Sequence, residues 1–150
     1  EVKNDLQNND LIGNTVFAGM QSHWYINNFF NITDIEVLLD KDPLGGSHIR
    51  EAMACGKVII TTNGKTRYQE TWVEHSKTGF LVSPENMYEE TAEIIIKLYN
   101  NKTLMNEIGR NASKYAQKNL SFKKIAKIFE EECERVSKKA MSLPVASRRP

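Results

Sequence analysis

The residues best placed to do chemistry lie close together: Gly45, Gly46, Ser47, His48 and Glu51, inside the stretch DPLGGSHIREAMACG from Asp42 to Gly56. A glycine pair makes a tight turn that exposes backbone N–H groups. Ser47 is a good N-cap for a helix that follows at once, and a helix N-terminus attracts an anion. Gly45, Gly46, Ser47 and His48 therefore form the expected phosphate end of a ligand site. His48 either donates to a phosphate oxygen or stays at the surface. Glu51 projects a carboxylate about one turn into the helix. Beside a phosphate site a carboxylate suits the hydroxyl pair of a ribose far better than the phosphate itself; the plainer alternative is a surface helix carboxylate. Asp40-Lys41-Asp42 is formally a D-x-D, a pattern able to hold Mn²⁺ or Mg²⁺, although it is common by chance.

Such a turn needs elements to aim it. Val37-Leu38-Leu39 before it and Val58-Ile59-Ile60 after it are short apolar runs, closed by polar residues, and read as buried strands of a parallel sheet. Between them Ile49, Ala52 and Met53 recur at helical spacing until Gly56 ends the helix. The order strand, glycine turn, helix, strand points the turn beyond a strand's carboxyl end, where open α/β sheets bind ligands.

The chain holds 150 residues, one domain's worth, with 40% apolar and 26% charged residues. A net charge of +1 argues against a nucleic-acid partner, which would need a basic face. Cys55 and Cys133 form no C-x-x-C pair, and Cys55 falls on a buried-looking helix, so a reduced, cytoplasmic setting is expected. No apolar run reaches about 18 residues. The opening at Glu1, with no signal-peptide pattern, reads as a piece of something longer. Asn31, Asn101, Asn111 and Asn119 match the glycosylation acceptor pattern, read as coincidence in an Asn-rich chain.

In chain order, Glu1 to Asp10 reads as a frayed helix end and loop, and Thr15-Val16-Phe17 as a short strand ahead of Gly19. Ser22 is expected to cap a helix with Tyr25, Ile26, Phe29 and Phe30 on one face. Ile35 to Leu39 is the next strand, and Phe80-Leu81-Val82 the last. Lys65 and Arg67, on the loop after Asn63-Gly64, could neutralise a phosphate or simply be solvated; Glu70 to Val73 reads as a short helical turn. Asn86 with Glu89 suggests a capping box opening Met87–Tyr99. Thr103 is read as the cap of Leu104–Gln117, with Leu104, Ile108, Ala112 and Tyr115 as its stripe. Ser121 caps a long helix whose Phe122, Ile125, Phe129, Cys133 and Val136 form one face, expected to close the domain by packing on it. Residues 141–150 have no period and read as a disordered tail or an expression scar.

EAMACGK, a VIITT strand and then TGFLV at Thr78–Val82 resemble the donor-binding half of the retaining, GT-B-fold "group 1" glycosyltransferases, over roughly Asn14 to Val136. The resemblance implies an α/β, Rossmann-like parallel sheet with flanking helices over residues 1–140: part of the C-terminal, nucleotide-sugar-binding domain of a longer enzyme. Such an enzyme would move a sugar from a nucleotide-diphosphate sugar to a carbohydrate or lipid-linked acceptor with retention of configuration. The acceptor would come through an N-terminal domain missing here, and the full-length protein would touch a membrane peripherally. The family works without metal or other cofactor, which favours D-x-D as coincidence. Glu51 matches the second glutamate of the E-x7-E motif, which holds the ribose hydroxyls. Eight positions before it stands Pro43 instead of the first glutamate. Aligning Asp42-Pro43-Leu44-Gly45 with E-P-F-G instead puts Asp42 at the catalytic position, on the transferred sugar. Met20 and Gln21 take the loop that touches the base. Family members open this half with a strand, helix and strand carrying a basic pair, and nothing here matches them. In a sheet of order 3-2-1-4-5-6 the chain would supply strands 3, 4, 5 and 6. The altered first glutamate leaves a second reading open: a non-catalytic remnant that binds a nucleotide sugar or a protein partner. The isolated chain is expected to be inactive.

Overall fold

A computed structural model describes residues 2–39, 47–63 and 72–142 of the 150-residue chain. Asp40, Asp42, Gly45 and Gly46, residues 64–71 with Lys65, Arg67 and Glu70, and residues 143–150 lie outside the described residues.

Three strands, β1 (Ile35–Leu38), β2 (Val58–Thr62) and β3 (Phe80–Val82), form a parallel sheet in the order β1-β2-β3. The register sets Ile35 opposite Val58 and Ile60 opposite Phe80. These three are neighbours in the order expected of strands 4, 5 and 6. Every residue of β2 is buried, as its β-branched, unbroken apolar run requires of a central parallel strand covered on both faces.

Alternation along β2 divides the core. Ile59 joins Ile49, Ala52 and Met53 of α3 (Ser47–Ala54) and Phe30 of α2 (Ile26–Ile32) on one face. Val58 and Ile60 join Phe80, Val82, and Met87 and Leu98 of α4 (Met87–Asn100) on the other. Helix α5 (Lys102–Asn119) serves both, with Ala112 and Ala116 on the first cluster and Met105 and Ile108 on the second. Each large side chain buried this way contributes about 1.5–3 kcal/mol. Helices α1 (Val2–Asn8) and α6 (Phe122–Ser142) complete the described chain, and neither has a buried residue among those described.

Several expectations are corrected. Thr15-Val16-Phe17 is not a strand: a 3₁₀ turn at Ile12–Asn14 precedes it, and Val16 and Phe17 are exposed. A strand exists only against a neighbour, and none of the described strands lies beside this segment. The Ser22 helix is a 3₁₀ turn, His23–Tyr25, running into α2, and Ser22 makes no capping bond. Asn86 likewise makes no side-chain cap. The acid that matters there is Glu90, which accepts from Ser83 Oγ at 2.5 Å and Ser83 N at 2.9 Å. These bonds favour the ionised form and hold Glu90 below the usual carboxylate range. Helix α5 is capped by Asn101, whose Oδ1 accepts from Leu104 N at 3.0 Å, and not by Thr103.

The largest correction is α6. Its stripe of Phe122, Ile125, Phe129, Cys133 and Val136 is exposed throughout the described residues, not packed on the domain. Ser121 does cap it, accepting from Lys124 N at 3.3 Å, and ion pairs such as Arg135–Glu132 at 2.7 Å line its polar side. Periodicity shows that a face is apolar; it does not say what covers it.

Candidate functional site

Ser47 is the first residue of α3, the element that follows β1 among the described residues. The side chain of Ser47 is exposed, and Glu51 follows one turn later, half-buried. Both line a groove of about 370 Å³ whose far wall comes from the end of α5 and the start of α6, with Gln117, Leu120 and Phe122. Ser47, Arg50, Glu51 and Ala54 share one flank of α3, so the groove runs along the helix from its first residue to its last, with Ser47 and the Glu51 carboxylate in its N-terminal half.

Local sequence explains why α3 sits so firmly. Ile49, Ala52 and Met53 bury its inner face. Gly56 ends it in the left-handed region at φ +72°, with Gly56 N donating to Met53 O at 2.9 Å and Lys57 N to Ala52 O at 3.0 Å. These paired bonds satisfy carbonyls that a helix end would otherwise leave bare. The turn lies against Gly109 of α5 so closely that a Cβ there would stand 2.2 Å from Gly56 O. Ser113 Oγ adds a hydrogen bond to Ala54 O at 3.0 Å. Cys55, expected inside, is exposed on this terminal turn.

Two charged groups went unnoticed in the sequence. Arg50 also lines the groove and lies over the Trp72 ring, 4.9 Å from its centroid, a cation–π contact that steadies a long side chain. It places a positive charge on the groove wall, while Lys65 and Arg67 lie outside the described residues. Glu36 stands in β1, in an otherwise apolar strand, with its side chain 18% exposed. Burial, and secondarily the charge of Glu51, push its carboxyl up to about 7. His48 Nε2 lies 3.9 Å from Glu36 Oε1, so the imidazole faces this carboxyl. The signal for Glu36 was present: one carboxylate interrupting an apolar strand.

Met20 is fully exposed, and Gln21 turns back to donate to Ala18 O; neither lines the groove bordered by Ser47 and Glu51. Asp42, Gly45 and Gly46 lie outside the described residues. Among the described residues no group of three or more His, Cys, Asp and Glu side chains is arranged to hold a metal ion, and no helix is long and apolar enough to cross a membrane.

A parallel sheet flanked by helices is part of the Rossmann-like C-terminal domain of a GT-B protein. Residues 1–115 match the family Glycosyl transferases group 1, and the chain belongs to that family. Among solved structures it is similar to a sucrose-phosphate synthase from Thermosynechococcus elongatus, with TM-score 0.78 and 21% identity over 92% of this chain and 34% of that one. A protein from Anabaena solved in complex with UDP-glucose gives TM-score 0.74 and 23% identity over 91% of this chain and 36% of that one. The C-terminal domain of a group 1 glycosyl transferase from Francisella tularensis gives 0.72 and 19%, over 81% and 61%. The chain thus spans between about a third and three fifths of the length of these proteins. No curated protein matches it.

Proposed function

We propose that the chain is the donor-binding portion, over residues 1–140, of a cytoplasmic glycosyltransferase that moves a sugar from a nucleotide-diphosphate sugar to a carbohydrate or lipid-linked acceptor with retention of configuration. The observation that carries this reading is the groove bordered by Ser47 at the N-terminus of α3 and by Glu51 one turn later, in a chain of the group 1 family. The α3 N–H groups, with Gly45 and Gly46 before them, take the diphosphate. Glu51 accepts both ribose hydroxyls, each bond to a charged acceptor being worth about 1.5–3 kcal/mol. Asp42 touches the transferred sugar, and Met20 and Gln21 the base. Arg50 adds positive charge beside the phosphates. A UDP-sugar is consistent with the Anabaena neighbour, itself solved with UDP-glucose.

Retaining transfer needs the acceptor hydroxyl held against the anomeric carbon, and most of its rate comes from that positioning and from stabilising the departing diphosphate. The acceptor side is assigned to a separate N-terminal domain. The complete protein should therefore transfer or hydrolyse sugar from a nucleotide donor, with EDTA leaving the rate intact, while the 150-residue chain alone turns over nothing. Sugar release from donor, followed by chromatography, checks this. Turnover by the isolated chain, or strict Mn²⁺ dependence, would contradict the site architecture. Donor binding without any turnover by the complete protein would favour the remnant reading raised by Pro43.

A further inference from the structure

We propose that Glu36 is a positioning residue for the nucleotide site: set in β1 against the first turn of α3, it stays uncharged and so leaves Glu51 as the charged partner of the ribose. The proposal rests on the assignment of Glu51 to the ribose. Its ground is geometric. Glu36 Oε1 faces His48 Nε2 at 3.9 Å. Glu36 Oε2 is sealed from solvent and has no hydrogen-bond partner among the described residues. A buried carboxylate oxygen with no donor is costly when ionised, whereas a protonated carboxyl carries no charge into that space.

The groups around it fix the sign. From α3, His48 faces it at 3.9 Å and Glu51 acts on it through its charge. From β2, its register partner is the uncharged Ile59. Asp34, just before β1, is turned to Lys102 at 4.0 Å. Of two nearby carboxyls, the more buried keeps the proton. That is Glu36, raised to about 7 by its burial and then by Glu51. A group raised in the folded state contributes stability below its ordinary value and loses it as pH climbs toward and through about 7. Binding follows the same course. Once Glu36 ionises, a second negative charge stands behind the first turn of α3, opposing the phosphates and crowding Glu51.

The test uses the complete protein, with UDP as probe, from about pH 5.5 to 8.5. The ratio of wild-type to Glu36→Gln affinity removes the titration of UDP itself. That ratio should fall about fivefold across neutrality, the order expected of one added like charge acting through a largely aqueous gap. His48→Gln should keep the fall. The margin by which Glu36→Gln melts above wild type should also widen from about pH 5.5 to about pH 8, since wild type loses stability between the ordinary Glu36 value of 4.5 and about 7. A ¹³C-carboxyl titration of wild-type Glu36, needing no variant to fold, should show its transition near neutrality. Superimposed profiles, a fall lost in His48→Gln instead, or a Glu36 transition at its ordinary value would overturn the proposal. Glu51→Gln separates the two claims. If it weakens UDP tenfold while the Glu36 profiles coincide, only the role of Glu36 fails. If it leaves UDP affinity unchanged at every pH, the ribose assignment fails with it.

Discussion

Glu51→Gln in the complete protein is expected to weaken nucleotide-sugar donor binding at least about tenfold, roughly 1.4 kcal/mol, with little change in melting temperature. The substitution keeps size and shape but removes the charge that strengthens two hydrogen bonds from ribose hydroxyls. Glu51 is half-buried at the rim of the groove, and α3 is held in place by Ile49, Ala52 and Met53 rather than by this carboxylate. Loss of its charge also removes one of the two causes that raise Glu36, which works against any destabilisation. Donor titration calorimetry with a thermal melt checks both halves. A collapse in stability with unchanged affinity would make Glu51 a structural residue.

A second large effect is expected far from any ligand. Gly109→Ala should destabilise the domain by about 2–3 kcal/mol, at the upper end of what overpacking costs. Helix propensity alone predicts the opposite, since alanine is favoured over glycine inside a helix by about 1 kcal/mol. Contact decides the sign. The added methyl would meet the Gly56 carbonyl oxygen at 2.2 Å, and that oxygen belongs to backbone that cannot rotate away. Helix α5 must then lift from the end of α3, stretching the Ser113–Ala54 bond of 3.0 Å. At about 2–8 °C per kcal/mol for domains near this size, melting should drop by at least several degrees. A melting temperature at or above wild type would mean that α5 does not pack on α3 at this distance. Because α3 carries Glu51, donor affinity should fall in the same variant.

What could be read from residue order was whatever is decided locally. The strand β2, the inner face Ile49–Ala52–Met53 and the stop at Gly56 all follow from period and turn chemistry; β1 formed where expected but is not buried, Val37 being exposed at the sheet's edge. Ser47 and Glu51 belong to that same local unit, so their shared groove was foreseeable. Features set by a partner distant in sequence were not. Thr15–Phe17 has strand-forming residues but no strand to pair with, and α6 has a clear apolar stripe that none of the described elements covers. Cys55 looked internal by its neighbours, yet the terminal turn of α3 points it outward. Glu36 needed the sheet register before its closeness to His48 could be seen.

The central claim, that the start of α3 is the nucleotide site, is tested most directly by titrating the ¹⁵N-labelled chain with UDP and following amide shifts. The expected affinity is weak, on the order of millimolar or about −4 kcal/mol, because among the described residues Arg50 is the one cation lining the groove. Shifts should concentrate at Ser47, His48, Arg50 and Glu51, together with Gly45 and Gly46, and saturate together. Shifts confined to α6 or to the segment before α2, with the start of α3 silent, would contradict the account.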